Sequence, residues 1–215
     1  MSADAMSGAR GRLVLVRPDG SEGERIPLHA ELTVIGRDSR GPFAGDMYLS
    51  PKHAAFTFQG NTLRVRDQES ANGVYLCIAR QTPTEISSGT VFRIGQEVIR
   101  FEAIESAAKG DVEVMGSPNP GYLGRICLVI GKTATGNCFC IPPEGMHLGR
   151  ERGDILFPED GYVSGLHCRI HGEGGRIYLT DLGSSNGTFL RIQSETAVPS
   201  GGLLLLGQQL FRAEY

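Results

Sequence analysis

The sequence lacks the helical patterns that most mixed folds contain. No convincing amphipathic helix is present, and thirty glycines and eleven prolines punctuate apolar runs of strand length. Turn residues at this density, between short apolar runs, are typical of all-β proteins. The composition therefore predicts an all-β fold with many tight turns.

An excess of positive charge is also missing. The formal net charge is -3 and the sequence pI is about 6.0. General nucleic-acid binders need a basic face to neutralise phosphates. We therefore expect no nucleic-acid partner, and any functional basic residue must act locally.

Long hydrophobic runs are absent as well. The longest run, Leu203 to Leu206, is flanked by glycines and is far too short to span a bilayer. The first residues lack the apolar core of a signal peptide. These features predict a cytoplasmic protein with no membrane partner.

The cysteines do not form a recognisable framework. Their number is five, and an odd count without an export signal favours reduced thiols. Cys138 and Cys140 would share one face of a strand, with Cys127 on a neighbouring strand, which leaves a metal site or a disulfide as the alternative. With no CxxC motif and no histidine at ligand spacing, we expect small, packed thiols, no metal and no cofactor.

Catalytic signatures are missing too. The sequence contains no Ser/His/Asp ordering, no metal-ligand cluster and no GxxxxGK[ST] phosphate-binding loop. We therefore expect a protein that is not an enzyme and that has no catalytic residues.

What the chain does contain is an internal repeat, offset by about 113 residues. Each copy has a Gly-Arg pair after an apolar run, then a Ser-x-x-His cluster, then an Asn-Gly pair. The matched landmarks are Gly36-Arg37 with Gly149-Arg150, Ser50 with Ser164, His53 with His167, Asp67 with Asp181, Asn72-Gly73 with Asn186-Gly187, and Ile94-Gly95-Gln96 with Leu206-Gly207-Gln208. So many landmarks in register predict two domains, at 11–104 and 123–215.

The segments outside the two repeats are small and polar. Residues 1–10 have nothing to bury and are predicted to be a disordered tail. Residues 105–122 are rich in Ser, Ala, Gly and Pro and are predicted to be a linker between the domains.

The combined pattern resembles the forkhead-associated (FHA) family, in two tandem copies. In the second repeat the pattern is complete: Gly149-Arg150, Ser164-x-x-His167, and Asp-Leu-Gly-Ser-Ser-Asn-Gly-Thr-Phe-Leu from Asp181 to Leu190. The resemblance implies an eleven-stranded β-sandwich for each copy, with loops at one end that bind phosphothreonine peptides. The fold prediction is therefore two tandem FHA-like β-sandwich domains.

Four residues of the second repeat are the leading candidates for phosphopeptide binding. A phosphate carries about -1.5 to -2 charges and three acceptor oxygens. Arg150 offers planar paired donors, and Ser164 and Ser185 offer hydroxyl donors. By family analogy, Asn186 would hydrogen-bond the peptide backbone.

Other motif residues are predicted to support the loops rather than to touch the ligand. In the family, the histidine of the Ser-x-x-His cluster braces the binding loops, which assigns this role to His53 and His167. Asp181, Gly187 and Thr188 are expected to shape the loop that carries Asn186.

The first repeat keeps a thinner version of the site. Its candidates for phosphopeptide binding are Arg37, Ser50, Lys52 and Asn72. Ala71 replaces the usual hydroxyl residue, Val74 replaces the threonine after the Asn-Gly pair, and Pro51 follows the serine. Phosphopeptide binding and a structural or dimerising role both stay open for this repeat.

The second repeat departs from the family pattern at one point. Gly165 and Leu166 stand where the family often places a basic or amide side chain. We expect this change to remove secondary contacts with the ligand.

The predicted function is a non-catalytic adaptor that acts downstream of a Ser/Thr kinase, mainly through the second domain. Its partner would be a protein or peptide phosphorylated on threonine, with the kinase itself or one of its substrates as candidates. The alternative is a phosphate-independent interaction scaffold or a self-associating module.

Overall fold

The computed structural model describes residues 8–104, 115–132 and 134–215. This part of the chain is built from strands and turns, with one short 3-10 turn at Gly41–Phe43. The strands in chain order are β1 (Ala9–Val16), β2 (Glu22–His29), β3 (Thr33–Ile35), β4 (Ala54–Gln59), β5 (Thr62–Asp67), β6 (Val74–Cys77), β7 (Thr84–Ile86), β8 (Val91–Ile94), β9 (Glu97–Glu102), β10 (Gly124–Val129), β11 (Thr135–Ile141), β12 (Met146–Gly149), β13 (Ile155–Leu156), β14 (Cys168–Glu173), β15 (Arg176–Asp181), β16 (Thr188–Arg191), β17 (Thr196–Val198), β18 (Leu203–Leu206) and β19 (Gln209–Glu214). The all-β fold class is confirmed, but within the described residues the two sandwiches contain nine and ten strands rather than the eleven that the resemblance implies.

The chain forms two compact units that combine strands from both repeats. Unit 1 consists of the described residues up to Cys77 together with Arg191–Tyr215. Its strands are arranged as β6-β18-β19-β1-β2 in one layer and β17-β5-β4-β3 in the other. Three of these strands, β17 to β19, come from the second repeat.

Unit 2 consists of Ile78–Leu190. Its strands are arranged as β11-β10-β9-β8-β16 in one layer and β13-β12-β14-β15-β7 in the other. Three of these strands, β7 to β9, come from the first repeat. Each unit therefore contains the candidate site of one repeat and the last three strands of the other repeat.

These units differ from the linear domains predicted at 11–104 and 123–215. β17 pairs with β5, with Ala197 opposite Arg64, and β7 pairs with β15, with Glu85 opposite Tyr178. The physical reason is that the two strand triplets are interchangeable. β7 and β17 share one burial pattern, β8 and β18 share a second, and β9 and β19 share a third.

Each hydrophobic core mixes both repeats. In unit 1, Phe43 stacks on Phe211 with ring centroids 5.1 Å apart, and both rings are fully buried. In unit 2, Phe92 packs in one cluster with Leu148 and Ile170. Burying one such side chain contributes about 1.5–3 kcal/mol. The three strands that each unit takes from the other repeat, which we call the exchanged strands, therefore contribute a large part of that unit's stability.

The predicted linker does not join the two units. Residues 105–114 lie outside the described residues, but the strands on either side, β9 and β10, are antiparallel neighbours in one sheet of unit 2. Ile126 lies opposite Phe101, and Leu123, just before β10, packs against the core. The segment therefore connects two strands of the same unit.

Part of the segment predicted to be a disordered tail belongs to a strand. Residues 1–7 lie outside the described residues, whereas Ala9 and Arg10 belong to β1. Ala9 pairs with His29, and the Arg10 guanidinium donates to the Gly60 carbonyl at 2.7 Å and lies 4.9 Å from the Phe58 ring centroid. The prediction is wrong for these two residues because the strand pairing and the arginine contacts order them.

One pair of cysteines departs from the prediction of reduced thiols. Cys127 of β10 lies directly opposite Cys138 of β11, and the two form a disulfide. Directly opposed residues of antiparallel strands are close enough for such a bond. Cys140 and Cys168 are free thiols, and burial raises the pKa of Cys168 far above its usual range.

Candidate functional site

The candidate residues of the second repeat meet on three loops of unit 2. Arg150 follows β12, Ser164 lies between β13 and β14, and Ser185 and Asn186 lie between β15 and β16. We call these four residues the second-repeat site. Arg150 and Ser164 are half-buried, whereas Ser185 and Asn186 are exposed.

Backbone hydrogen bonds join the first two loops. The Arg150 N–H donates to the Ser164 carbonyl at 2.9 Å, and the Arg152 N–H donates to the Gly165 carbonyl at 2.8 Å. A Cβ atom on Gly149 would lie 2.3 Å from the Arg152 oxygen and 2.4 Å from the Gly165 oxygen. The close approach of the two loops therefore explains why glycine precedes Arg150.

The third loop is attached to the second through side chains. The Ser185 N–H donates to the Ser164 hydroxyl oxygen at 3.0 Å, and the Asn186 amide nitrogen donates to the Tyr162 carbonyl at 2.8 Å. The Ser164 hydroxyl accepts in this contact, so its hydrogen can still be donated to a ligand. Likewise, the Asn186 amide oxygen can accept from a peptide N–H.

His167 lies beneath the loops and links two of them. Its Nδ1 atom accepts the Ser164 N–H at 3.0 Å, and its Nε2 atom is 3.1 Å from the Gly187 carbonyl. This arrangement requires a neutral ring with the proton on Nε2. Burial lowers the pKa of His167, which favours the same neutral form.

A fully buried carboxylate organises the loop that carries Asn186. Asp181 accepts from the Ser184 hydroxyl at 2.6 Å, from the Thr188 hydroxyl at 2.7 Å, and from the N–H groups of Gly183 and Ser184. Burial acts to raise the pKa of Asp181, but these hydrogen bonds outweigh it and the pKa is lowered. Gly187 closes the loop with a φ of 86°, in the left-handed region that favours glycine.

Arg150 is held by an acidic neighbour. Its Nη2 atom is 2.7 Å from Glu151 Oε1, and the Glu151 side chain is 63% exposed. An exposed ion pair contributes about 1 kcal/mol or less. A phosphate can therefore displace Glu151 at modest cost.

The first-repeat candidates meet in the same way in unit 1. The Arg37 N–H donates to the Ser50 carbonyl at 2.9 Å, the Ala71 N–H donates to the Ser50 hydroxyl at 3.0 Å, and the Asn72 amide donates to the Tyr48 carbonyl at 2.8 Å. We call Arg37, Ser50, Lys52 and Asn72 the first-repeat site. Lys52 is exposed on the Ser50 loop.

The loops of the first-repeat site are supported by some, but not all, of the contacts seen in the second-repeat site. His53 is buried, accepts the Ser50 N–H and faces the Gly73 carbonyl, as its counterpart does, and burial lowers its pKa. Asp67 accepts from the hydroxyl and N–H of Ser70. Val74 has no hydroxyl, so Asp67 lacks the bond that Thr188 gives to Asp181.

Sequence reasoning overlooked three residues around the second-repeat site. Ser184 is buried, donates to Asp181 and accepts the Gly187 N–H at 2.9 Å, while Tyr162 supplies the carbonyl that holds Asn186. Arg80, from the first repeat, donates to the Ser185 carbonyl at 3.0 Å. Only the strand exchange brings Arg80 here, so no local pattern around Ser185 could have identified it.

Two features are absent from the part of the chain that the structure describes. Across residues 8–104, 115–132 and 134–215, no group of three or more His, Cys, Asp or Glu side chains is arranged to hold a metal ion. The same residues include no helix with the length and apolar character needed to cross a bilayer.

Comparison with family profiles identifies both repeats. The profile of the FHA domain matches residues 33–95 and residues 146–207. Each match contains the Gly-Arg, Ser-x-x-His and Asn-Gly landmarks of its repeat. The resemblance to two tandem FHA copies is therefore confirmed.

Curated relatives point to the same family. The FHA domain-containing protein FhaB of Mycobacterium tuberculosis is 28% identical over 98 residues, which is 44% of this chain and 63% of that protein. FhaB of Mycolicibacterium smegmatis is 28% identical over 90 residues, 40% of this chain and 58% of that protein. The chain thus spans less than two thirds of the length of these relatives.

Among solved structures, the FHA domain of the CT664 protein from Chlamydia trachomatis is similar. It is 24% identical, with a TM-score of 0.23, and the match covers 37% of this chain and 86% of that domain.

Proposed function

Because the chain belongs to the FHA family, whose domains are generally phosphothreonine-binding signalling modules, we propose that it is a non-catalytic phosphothreonine-peptide adaptor. It acts downstream of a Ser/Thr kinase, mainly through the second-repeat site. Its partner is a threonine-phosphorylated protein, for which the kinase or one of its substrates is the candidate, and it works in the cytoplasm.

The convergence of four polar side chains on hydrogen-bonded loops carries this proposal. The Arg150 guanidinium supplies charge, the hydroxyls of Ser164 and Ser185 supply donors, and Asn186 supplies both an amide donor and an acceptor. The loops are already joined by hydrogen bonds before any ligand arrives. A preorganised site loses less conformational entropy on binding.

The first-repeat site is proposed to bind more weakly. Ala71 has no hydroxyl at the position of Ser185, and the supporting carboxylate Asp67 has fewer donors than Asp181. Arg37, Ser50 and Asn72 nevertheless keep the same backbone arrangement. The second-repeat site is therefore the stronger of the two.

The decisive experiment compares phosphorylated and unphosphorylated peptides of the same sequence. Both peptides are titrated into the full chain and into Arg150→Ala, with calorimetry as the readout. We expect the wild type to prefer the phosphopeptide and Arg150→Ala to lose roughly 2 kcal/mol, because truncation leaves the phosphate without its charged partner and the site is partly solvated.

Matched arginine variants serve as controls. Arg176→Ala removes an arginine that pairs with Glu85 elsewhere in unit 2, and it should bind as the wild type does. Arg37→Ala should remove only the weaker binding event. Equal wild-type affinity for the two peptides would contradict the proposal and favour the phosphate-independent or self-associating scaffold.

A further inference from the structure

The connection that follows Ile78 in the first repeat is longer than its counterpart in the second. Ile78 and Ile192 hold equivalent positions, since their N–H groups donate to the carbonyls of Thr188 and Val74, respectively, both at 2.9 Å. Residues 79–83 then lead to β7, whereas residues 193–195 lead to β17. The first repeat therefore carries two additional residues at this point.

The longer connection contacts the loop of the second-repeat site. The Gln81 N–H donates to the Asp181 carbonyl at 2.8 Å, and Arg80 forms a parallel β-bridge with Asp181. Gln81 adopts a φ of 56°, which is uncommon for a residue other than glycine. The bend at Gln81 lets the segment follow the loop that carries Ser185 and Asn186.

This contact places a second guanidinium beside the site. Arg80 Nη2 donates to the Ser185 carbonyl at 3.0 Å, while the Arg80 side chain is exposed. A guanidinium has five N–H donors, so one hydrogen bond to a carbonyl leaves most of them for a ligand. The Ser185 contact also fixes the group, which reduces the entropy lost when it binds.

We propose that Arg80 is a specificity-determining residue of the second-repeat site, supplied by the first repeat, and that it binds an anionic oxygen of the peptide. That oxygen belongs either to the phosphate or to a carboxylate of a neighbouring acidic residue. The inference rests on the proposed function of the second-repeat site. The role of Arg80 adds a preference for charge to that function. With two arginines, the site should favour peptides that carry more negative charge.

The equivalent connection beside the first-repeat site carries no arginine. This shorter connection consists of Gln193, Ser194 and Glu195, and Glu195 pairs with Arg64 of β5 at 2.8 Å. The strand exchange therefore places Arg80 against the Ser185 loop of the second-repeat site, whereas the cation that the second repeat supplies to the first-repeat site is Arg191, which lies close to Gly73. This difference predicts that acidic peptide residues and salt affect peptide binding through this connection only at the second-repeat site.

The test uses the full chain and three peptides of one parent sequence. One carries phosphothreonine with neutral neighbours, one carries phosphothreonine with acidic neighbours, and one carries the acidic neighbours without phosphate. Affinities are measured at several salt concentrations for the wild type, Arg80→Ala and Arg80→Lys, with Arg176→Ala as the control.

We expect Arg80→Ala to weaken phosphopeptide binding roughly fivefold and to flatten the salt dependence, because an exposed charge pair is lost. Arg80→Lys should recover part of the phosphopeptide affinity and part of the salt dependence. A loss limited to the acidic peptide identifies a carboxylate, and an equal loss for both phosphopeptides identifies the phosphate.

Two results would overturn this inference, and they are distinguishable. If the wild type discriminates phosphopeptides but Arg80→Ala binds them with unchanged affinity or an unchanged salt slope, Arg80 has no role in recognition, although the site stands. If the wild type does not discriminate phosphorylated from unphosphorylated peptide, the proposed function fails, and Arg80 fails with it.

Discussion

At the scale of single residues, Glu151 pairs with Arg150, the guanidinium that we propose binds the phosphate. It occupies Arg150 in the absence of ligand and is itself largely exposed. The same carboxylate repels an incoming phosphate. Arg37, at the corresponding position, is followed by Asp38 rather than by glutamate.

Replacing Glu151 should therefore strengthen binding. We expect Glu151→Gln to raise phosphopeptide affinity by roughly two- to fivefold, since the competing exposed ion pair is worth about 1 kcal/mol or less. Calorimetric titration of wild type and variant measures this directly. Glu144→Gln, an exposed substitution elsewhere in unit 2, is the control, and a weaker Glu151→Gln would show that Glu151 orients Arg150 rather than competing for it.

The residues that were predictable from sequence are those fixed by local chemistry. The Gly-Arg pair, the Ser-x-x-His cluster and the Asn-Gly turn each owe their spacing to contacts among neighbouring loops, as the close approach at Gly149 illustrates. Arg80 was not predictable, because its contact with Ser185 joins residues from different repeats. Cys127 and Cys138 could be placed on adjacent strands, but strand geometry does not decide whether adjacent thiols are oxidised.

At the scale of structural elements, each buried histidine connects two loops of its site. His53 and His167 each accept a serine N–H on one ring nitrogen and face a glycine carbonyl with the other. Protonation of Nδ1 would remove the bond to Ser50 or Ser164. Each ring therefore adds to the other contacts between the loops of its site only while that ring is neutral.

Acid should consequently loosen both units. Burial lowers the pKa of both histidines below the ordinary value of 6.5, so the unfolded chain takes up protons first as the pH falls. Their contribution is complete above that value and is lost below it, by up to about 1.4 kcal/mol per pH unit for each ring. The lowered pKa of Asp181 acts in a separate window, below its ordinary value of 3.8.

Urea unfolding at about pH 7.5 and about pH 5 measures the effect. We expect a lower midpoint in acid for the wild type and the same difference for His29→Gln, whose side chain lies on the surface. Phosphopeptide affinity should also fall in acid, because Ser164 is held through His167. An unchanged midpoint would contradict the role assigned to the two rings.

At the scale of the whole molecule, the two repeats exchange their last three strands. The apolar runs between turn residues predicted an all-β fold, and the repeat predicted two copies with the same order of landmarks. The sequence did not predict which sandwich each strand triplet joins. The reason is that β7 to β9 and β17 to β19 have the same burial patterns and fit either sandwich. Pairing partners are decided by the whole folded chain.

Engineered cross-links distinguish the exchange from linear domains. The observed register predicts that Arg64→Cys with Ala197→Cys, and Glu85→Cys with Tyr178→Cys, form disulfides within one chain. Linear domains would instead join position 64 to 85 and position 178 to 197. In a Cys140→Ser background, peptide mapping of the oxidised monomer gives the answer, and cross-links of the second kind would contradict the exchange.

The exchange also changes the order in which the protein can be completed during translation. Domains usually fold from the N-terminus as the chain is made. Here unit 2 has all its residues once Leu190 has emerged, whereas unit 1, begun first, still lacks Arg191–Tyr215. The nascent β1 to β6 therefore keep unpaired strand edges until β17 to β19 have been made, after unit 2 is already complete. Unpaired strand edges are sites of aggregation and chaperone capture.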